Sequence, residues 1–425
     1  MKFKIETLGC KVNTYESEYL RKMLEEEGYT YSDSNPSLVV INTCTVTNLS
    51  DVKSRQIIRR EKRKHPDAII AALGCYIQNS YPKIMNEVDI NIGNGNKKEL
   101  INALKEFKKT MEKINLVKEE VSKTFEPMSL DNYSDRCRAF VKVQDGCNNF
   151  CSYCIIPYVR GRSRSKPKED ILNEIYNLIN NNYREIVLTG INLSKYGIDL
   201  GTSFNILLKD IIKLPNLKRL RISSLELDHL DDEFLSIIKN SNIIVNHFHL
   251  PIQSGSDKIL KSMNRHYDRK FLINELNKLK EIRPDAFLAA DIIVGFPGET
   301  EEDFMETYNL LNELSFAKIH VFPYSKREGT RSSKLKDVVD GNIIKERARR
   351  LNRLSNHLSK LYYDRFIGKT LEVLIENNKD GFSYGHTENF IPVKIKGVIK
   401  DNTFVMVKLL ENKEEFVLGE IVSSE

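Results

Sequence analysis

The stretch Cys147-Asn-Asn-Phe-Cys151-Ser-Tyr-Cys154 sets three cysteines at the spacing C-x3-C-x2-C in a chain with only seven cysteines. Three thiolates this close together can hold three irons of a [4Fe–4S] cluster, which leaves the fourth iron without a protein ligand. An open iron is a reaction site, whereas a fully ligated cluster mainly carries electrons. Structural zinc, the main alternative, usually has C-x2-C pairs, and the spacing is too short for a disulfide framework. The stretch therefore predicts an iron–sulfur site.

Six predicted strands alternate with predicted helices between about residues 136 and 365, and the cysteine stretch follows the first strand. The strands are predicted at Ala139 to Val143, Glu185 to Thr189, Arg219 to Ser223, Val245 to Leu250, Phe287 to Val294 and Lys318 to Phe322. Six βα units favour an α/β fold with a parallel, TIM-like barrel or partial barrel, whose chemistry lies at the carboxyl ends of its strands. Cys147 is predicted at that end.

The other predicted strands lead into polar or glycine-containing turns, which we expect at the same rim as the cysteines. Asn192 offers both a donor and an acceptor, and Glu226 can accept hydrogen bonds from hydroxyl groups. Each turn by itself also fits an ordinary loop, because strand-ending glycines and surface carboxylates are common. Together they predict a ligand pocket, with candidate contacts at Tyr153, Gly190, Asn192, Glu226, Ser254 and Gly295.

Residues 1–112 alternate short apolar runs with charged, helix-like stretches, which favours a small parallel α/β sheet. Cys10, Cys44 and Cys75 each come just past the end of a predicted strand. Ligands bind at this edge of open α/β sheets, where loops from neighbouring strands converge. Spacing alone leaves two interpretations open, a second cluster-binding trio or three unrelated buried thiols.

The chain ends in about five short predicted strands from Gly368 onward, which favour a small antiparallel β-barrel of the OB type. Residues 113–132 lack periodicity and are predicted to be a linker, so we expect domains at 1–112, 133–365 and 366–425. From Gly368 the chain carries ten acidic and seven basic residues. RNA binding there would need a local patch, for which Tyr384, His386 and Phe390 are candidates.

Composition indicates a soluble protein with several domains. The 425 residues are 40% hydrophobic and 29% charged, and the net charge of +6 permits a polyanionic partner. No stretch approaches the roughly 18 apolar residues of a membrane span, and the N-terminus lacks the apolar core of a signal peptide. Cysteines used as cluster ligands fit a reducing cytoplasm. Basic helices predicted at 53–64 and 345–365 are candidate phosphate contacts, although charged helices are usually only solvated.

Three longer stretches resemble a known family. Gly146-Cys-Asn-Asn-Phe-Cys-Ser-Tyr-Cys-Ile-Ile-Pro157-Tyr-Val-Arg160-Gly161 contains the signature of radical S-adenosylmethionine (SAM) enzymes. Together with Thr7-Leu-Gly-Cys10-Lys-Val-Asn13-Thr-Tyr-Glu-Ser17 and Asn42-Thr-Cys44-Thr-Val-Thr47, it resembles the radical SAM methylthiotransferases. The resemblance covers nearly the whole chain, in the family's order of methylthiotransferase domain, radical SAM barrel and TRAM barrel. The sequence motifs are most similar to those of the branch that acts on N6-threonylcarbamoyladenosine 37 of tRNA.

The resemblance implies two [4Fe–4S] clusters, one held by Cys147, Cys151 and Cys154 with SAM, the other by Cys10, Cys44 and Cys75. It leaves Cys137 as a structural thiol and makes the candidate pocket residues SAM contacts. The implied reaction abstracts hydrogen from C2 of the adenine, inserts sulfur and methylates it with a second SAM. Implied partners are the tRNA anticodon loop, an external electron donor and a sulfur donor, with no membrane. Alternatives are a methylthiotransferase acting on isopentenyladenosine 37 or a ribosomal-protein aspartate, and an RNA-binding iron–sulfur electron carrier.

Overall fold

The computed structural model describes residues 1–83, 85–134 and 137–424, which form three domains. The first is built from β1 (Lys2–Thr7), α1 (Lys11–Glu26), β2 (Thr30–Tyr31), β3 (Leu38–Thr43), α2 (Asn48–Lys64), β4 (Ile69–Gly74), α3 (Cys75–Ser80), β5 (Ile90–Ile92), α4 (Leu100–Thr110) and β6 (Ile114–Asn115). Its strands form one parallel sheet in the order β2-β1-β3-β4-β5-β6. Every residue of β3 is buried, because helices cover both faces of the sheet.

The second domain is the predicted partial barrel. It contains β7 (Arg138–Lys142), β8 (Gln144–Asp145), α5 (Ile156–Val159), β9 (Arg164–Ser165), α6 (Lys168–Asn180), β10 (Glu185–Thr189), α7 (Phe204–Ile211), β11 (Arg219–Ile222), α8 (Asp232–Lys239), β12 (His247–Gln253), α9 (Asp257–Ser262), α10 (Arg269–Ile282), β13 (Phe287–Val294), α11 (Glu301–Glu313), β14 (Lys318–Pro323) and α12 (Gly341–Asp364).

Six parallel strands of this domain form two groups, β7-β10-β11 and β12-β13-β14, which are joined by a bridge between Leu220 and Ile244. Alternate side chains such as Ile186 and Leu188 point to the helices and form the main core. Within the described ranges β7 and β14 are the outermost strands of the two groups, and they do not pair with each other. The barrel is therefore open along one side, and its interior holds charged and polar side chains.

The third domain is a closed five-stranded barrel, as the sequence predicts. Its strands are β15 (Thr370–Lys379), β16 (Phe382–Thr387), β17 (Pro392–Lys396), β18 (Phe404–Asn412) and β19 (Val417–Ser424). Its core is continuous with residues of the partial barrel, including Phe287 and Tyr362. Arg138 of β7 donates to Glu376 of β15 at 2.7 Å, which adds an ion pair to this apolar contact.

Two regions differ from the expectations. The first strand in the predicted linker is β6, which extends the first sheet, and near the linker's end Met128 and Leu130 are buried in the core of the partial barrel. His386 and Phe390, the candidates for stacking on RNA bases, stack on each other at 4.5 Å between ring centroids, and the Phe390 ring packs against His247 of the partial barrel. This face of the third domain is used for docking, whereas Tyr384, the third candidate, has Lys394 Nζ over its ring at 5.5 Å from the centroid.

No helix in the described part of the chain is long and apolar enough to span a membrane.

Candidate active site

The first cysteine trio, which we call the loop trio, comprises Cys147, Cys151 and Cys154 and lies on the loop after β7 and β8. Backbone hydrogen bonds hold the loop at both ends. The Cys147 N–H donates to the Gly161 carbonyl at 3.1 Å, and the Ser152 N–H donates to the Met263 carbonyl at 2.9 Å. Gly146 has a φ of +71°, and a Cβ there would lie 2.0 Å from a backbone oxygen. Only glycine fits this turn into the loop.

Two donors approach the sulfurs of the loop trio. The Asn192 amide nitrogen lies 3.6 Å from Cys147 Sγ, and Arg265 Nη1 lies 3.6 Å from Cys151 Sγ. Burial raises the pKa of the Cys154 thiol to about 12, a cost that binding to iron would remove, because a metal-bound thiol is deprotonated. The donor set therefore fits a cluster, since hydrogen bonds to sulfur are one of the means by which proteins tune iron–sulfur sites.

The second trio, which we call the sheet-edge trio, lies at the carboxyl edge of the first sheet. Cys10 caps the start of α1, Cys44 follows β3 and Cys75 begins α3 directly after β4. Because β1, β3 and β4 are hydrogen-bonded neighbours, the three cysteines converge, as the order of the strands requires. A Cβ at Gly9, where φ is +110°, would lie 3.1 Å from the Cβ of Cys44, which shows how closely the loops approach.

Behind the sheet-edge trio lies a fully buried ion network that joins the first domain to the partial barrel. Its members, all less than one-tenth exposed, are Glu16, Lys97, Lys142, Asp145, Arg160 and Arg164. Burial opposes ionisation of Glu16, but Arg160, Lys142 and Lys97 outweigh it and hold the pKa of this carboxyl below its ordinary value. Four cations and two carboxylates leave two positive charges in excess.

This excess charge is suited to the sheet-edge trio. Burial raises the pKa of Cys75, whereas the Arg160 guanidinium acts in the opposite direction and favours the thiolate. Asn94 also points its amide nitrogen at Cys75 Sγ, at 3.6 Å. Three thiolates beside a cationic network are the chemistry that an iron–sulfur cluster needs, so these residues fit a second cluster.

A pocket of about 200 Å³ lies between the two trios. We call it the inter-trio pocket. Val46 and Thr47, just after Cys44, form one wall, and Tyr153, which precedes Cys154, forms another. Gln253, Asp291 and Tyr324 from the ends of the barrel strands complete it. A molecule bound here would contact residues that neighbour a cysteine of each trio, an arrangement that suits a reaction shared between two clusters.

The candidate contacts predicted from the strand-end turns are placed differently from one another. Tyr153 lines the inter-trio pocket, and the buried Asn192 points its nitrogen at Cys147 while its oxygen has no partner among the described residues. Glu226 lies at the rim but is paired with Arg265, so it is not the free acceptor that the sequence suggests.

The remaining three predicted residues make protein contacts. The buried Ser254 hydroxyl hydrogen-bonds the Thr307 hydroxyl at 3.2 Å. A Cβ at Gly295 would lie 2.3 Å from Ile344 of α12, and one at Gly190 would lie 2.8 Å from Leu193. The glycines thus allow close packing of the chain on itself in this structure. Their role as SAM contacts stays a prediction.

Several residues of the site escape prediction from the sequence. Arg265 lies in the connection between α9 and α10. It belongs to no strand-end turn of the sequence, so the pattern of strand-end turns does not indicate it. Arg160 lies within the longer stretch from Gly146 to Gly161 that resembles the family. Only the fold shows that it pairs with Glu16, which is 144 positions away. Spacing carries no information about such long-range pairs.

Comparisons with known proteins agree with this geometry. A family model described as the radical SAM superfamily matches residues 141–311, and one described as uncharacterized protein family UPF0004 matches residues 2–93. Among solved structures, the radical SAM methyltransferase TsrM from Kitasatospora setae, with cobalamin and a [4Fe–4S] cluster bound, superimposes with a TM-score of 0.57 at 15% identity. The match covers 76% of this chain and 74% of that one, and it supports the fold alone.

Curated relatives match over nearly the full length. The threonylcarbamoyladenosine tRNA methylthiotransferase MtaB of Bacillus subtilis is 41% identical over 98% of this chain and 95% of its own. The protein of the same name in Rickettsia prowazekii is 41% identical over 92% of this chain and 91% of its own. A tRNA-2-methylthio-N(6)-dimethylallyladenosine synthase of Clostridium botulinum is 38% identical over 98% and 96%. The chain therefore belongs to the radical SAM methylthiotransferase family.

Proposed function

We propose that this protein is a tRNA methylthiotransferase that converts N6-threonylcarbamoyladenosine 37 to its 2-methylthio derivative. The observation that carries the proposal is the inter-trio pocket, because one adenine seated there can meet both trios. Relatives named for this activity match nearly the full chain and support the choice of substrate. We further infer that the anticodon loop is the partner that delivers the base, and that external electron and sulfur donors serve the two clusters.

The two cysteine trios would hold two [4Fe–4S] clusters, which with SAM supply radical chemistry, sulfur and a methyl group. The residues of the chain position and shield this chemistry. Tyr153 offers a flat face within the inter-trio pocket, and Asn192 offers an unpaired amide oxygen beside Cys147. Arg265 holds Glu226 in place with both of its Nη atoms, and Nη1 also lies 3.6 Å from Cys151 Sγ. The buried ion network fixes the first domain on the barrel, which keeps the trios at one distance.

The substrate is tested in a bacterial strain that lacks its own threonylcarbamoyladenosine methylthiotransferase. Expression of this chain should restore the 2-methylthio-N6-threonylcarbamoyl nucleoside, measured by mass spectrometry of digested tRNA. Unchanged N6-threonylcarbamoyladenosine would refute the proposed substrate. Appearance of the 2-methylthio dimethylallyl nucleoside instead would assign the protein to the other tRNA substrate.

The roles of the two trios are separated by matched cysteine variants of the reconstituted protein under anaerobic conditions. Cys147→Ser should abolish 5′-deoxyadenosine formation from SAM and reductant. Cys75→Ser should keep 5′-deoxyadenosine formation but lose the methylthio product, because it removes a ligand only from the sheet-edge trio. Cys137→Ser, outside both trios, is the control and should keep both activities. If the Cys75→Ser variant also lost 5′-deoxyadenosine formation, the result would contradict this division of roles between the two trios.

A further inference from the structure

A second cavity, of about 520 Å³, fills the open barrel below the inter-trio pocket. We call it the barrel chamber. Its walls come from all three domains, with Lys11 from α1, Arg221 from β11, His247 and His249 from β12, and Phe390 from the third domain. Asp291, which lines the inter-trio pocket, accepts from His249 Nε2 at 2.7 Å, so the two cavities are neighbours.

The charges that line the barrel chamber are unbalanced. Among its lining residues are three cations, Lys11, Arg138 and Arg221, but one carboxylate, Glu376. Glu376 is already paired with Arg138 at 2.7 Å and with His386 at 2.8 Å. The Lys11 ammonium has no ion pair or hydrogen bond to another side chain or carbonyl in the described ranges of the chain. The chamber therefore presents a positive charge without a counter-ion.

Two buried polar atoms in the chamber wall also lack partners. Arg221 is 2% exposed and uses Nε on Glu185 at 2.8 Å and Nη2 on a carbonyl at 3.2 Å, while its Nη1 makes no hydrogen bond. His247 is 7% exposed, and its Nδ1 has no partner. Leaving a buried donor unpaired costs free energy, more so for a charged group. The Lys11 ammonium and the incompletely paired guanidinium of Arg221 line one cavity, which indicates a site for an anionic ligand group.

We propose that the barrel chamber binds the N6 substituent of the substrate adenosine, with Lys11 and the free Nη1 of Arg221 holding its carboxylate. This proposal rests on the proposed function, because a threonylcarbamoyl group carries one carboxylate and one hydroxyl. His247, another residue that lines the cavity, also has an unpaired ring nitrogen, Nδ1, among the described residues.

The position of Lys11 is consistent with the reaction. Lys11 directly follows Cys10, a member of the sheet-edge trio, and its side chain lines the chamber. An adenine in the inter-trio pocket would thus have its C2 near both trios and its N6 substituent directed into the chamber. The same charges work against a dimethylallyl group, because an apolar substituent would bury Lys11 and Arg221 without pairing them. Lys11 and Arg221 are therefore specificity-determining residues.

The test compares anticodon stem–loop RNAs that differ only at the N6 substituent, bound to the anaerobic, cluster-loaded protein. The probes carry threonylcarbamoyladenosine, its methyl ester or dimethylallyladenosine, and Kd is measured by fluorescence polarisation. We expect the free acid to bind about tenfold or more tightly than the ester, as a charge-assisted pair predicts. Lys11→Met should lower this ratio, because Arg221 is then the one remaining partner that the proposal gives the carboxylate, whereas Lys11→Arg should preserve it.

Lys109→Met, an exposed lysine on α4, lowers the net charge equally and is the matched control, with the parental ratio expected. Iron and acid-labile sulfide content verifies that the Lys11 variants keep both clusters. Equal binding of acid and ester by the parent protein overturns the proposal without any variant, as does a parental ratio in Lys11→Met. Either result leaves the proposed function intact if the 2-methylthio threonylcarbamoyl nucleoside is still formed, so the two failures are distinguishable.

Discussion

Arg265 links the charge of the rim to the loop trio. It pairs with Glu226 and points Nη1 at Cys151 Sγ from 3.6 Å. A positive charge beside a cluster favours the reduced state, which carries one more negative charge. Replacing this side chain by a neutral one of similar length should therefore lower the reduction potential of the cluster, and it would also leave the Glu226 carboxylate unpaired nearby.

We expect Arg265→Met to lower the midpoint potential of the loop-trio cluster by about 60 mV or more, a tenfold change in a one-electron equilibrium. A redox titration followed by electron paramagnetic resonance measures it. Arg269→Met, at the start of α10, is the control, because in the described ranges the side chain of Arg269 bonds to backbone carbonyls and to Glu313. An unchanged potential in Arg265→Met would show that the contact with Cys151 has no electrostatic effect on the cluster.

Glu299 gives the rim a titratable group. Its carboxylate accepts from the Phe296 N–H at 3.1 Å and from the Gly295 N–H, yet burial raises its pKa to about 7 against the partial compensation of Arg347. The folded state therefore holds this proton more tightly than the unfolded state does. The free energy of unfolding must fall as pH rises from the unfolded pKa, near 4.5, towards 7.

Glu299→Gln keeps an acceptor for the two N–H groups but cannot ionise. Relative to the parent, the variant should gain stability as the pH rises through this window, by at most about 1.4 kcal/mol per pH unit. Urea unfolding at pH 5 and at pH 7 measures the difference, and Glu281→Gln, on an exposed face of α10, is the control. A difference between variant and parent that is equal at both pH values would contradict the raised pKa.

Which residues could be identified from the sequence depends on how local their signal is. The loop trio is recognisable because three ligands fall within eight residues. Glu226 pairs with Arg265, which comes from a connection 39 positions away, and no local sequence pattern predicts that partner. Ser254 shows the converse case, since a polar residue in a strand-end turn is satisfied by Thr307 of α11, which only tertiary packing reveals.

Helix α1 contributes residues to more parts of the structure than the one apolar core that its amphipathic pattern predicts. Its first turn holds Cys10 as cap and Lys11 in the barrel chamber, while Glu16, one turn further on, enters the ion network. The next turns bury Leu20 and Leu24 in the core of the first domain. One helix thus connects the sheet-edge trio, the chamber and the barrel, so its docking determines the distance between the trios.

Glu16→Gln should loosen this docking. The amide cannot balance Arg160, Lys142 and Lys97, and breaking a buried ion network by removing one partner costs about 3–5 kcal/mol. The loss is measured as a lower urea midpoint of the cluster-loaded protein, together with faster release of iron from the sheet-edge trio. Glu26→Gln, at the exposed end of the same helix, should leave the midpoint unchanged. Equal midpoints for the two variants would mean that the network adds nothing to stability.

The strand–helix alternation of the sequence predicts the helices and strands, but it predicts only part of how the strands pair and how the elements pack. The parallel sheet, the six-stranded partial barrel and the five-stranded barrel are confirmed. The convergence of Cys10, Cys44 and Cys75 depends on β1, β3 and β4 being neighbours, an order that the structure shows and that the sequence leaves open. Short pairings such as β5 with β6 escape prediction, since two or three residues carry too little periodicity.

The three domains form one functional body because the third domain closes the base of the barrel chamber. The Phe390 ring packs on His247 at 4.8 Å and on the guanidinium groups of Arg221 at 4.8 Å and Arg138 at 5.2 Å. Both guanidinium groups also donate to the third domain, Arg221 to the backbone carbonyl of Glu388 and Arg138 to the carboxylate of Glu376. The small acidic barrel thus supplies acceptors to the cationic interior, a use of its charge that does not depend on RNA.

Phe390→Ala tests this coupling in the whole protein. Removing the ring takes away its contacts with three chamber residues and opens a gap between the domains, at a cost of about 3 kcal/mol by comparison with other Phe→Ala changes. We expect calorimetry of the parent to show the partial barrel and the third domain unfolding in one transition, because they share an apolar core around Phe287 and Tyr362. In Phe390→Ala the third domain should unfold first, as a separate transition at lower temperature.

Phe382→Ala is the control, because it removes a phenylalanine ring from the same barrel at a place where that ring contacts Lys394 of its own domain. The two domains of this variant should still unfold in one transition. If Phe390→Ala keeps one transition at the parental temperature, the third domain is not coupled to the chamber through this ring.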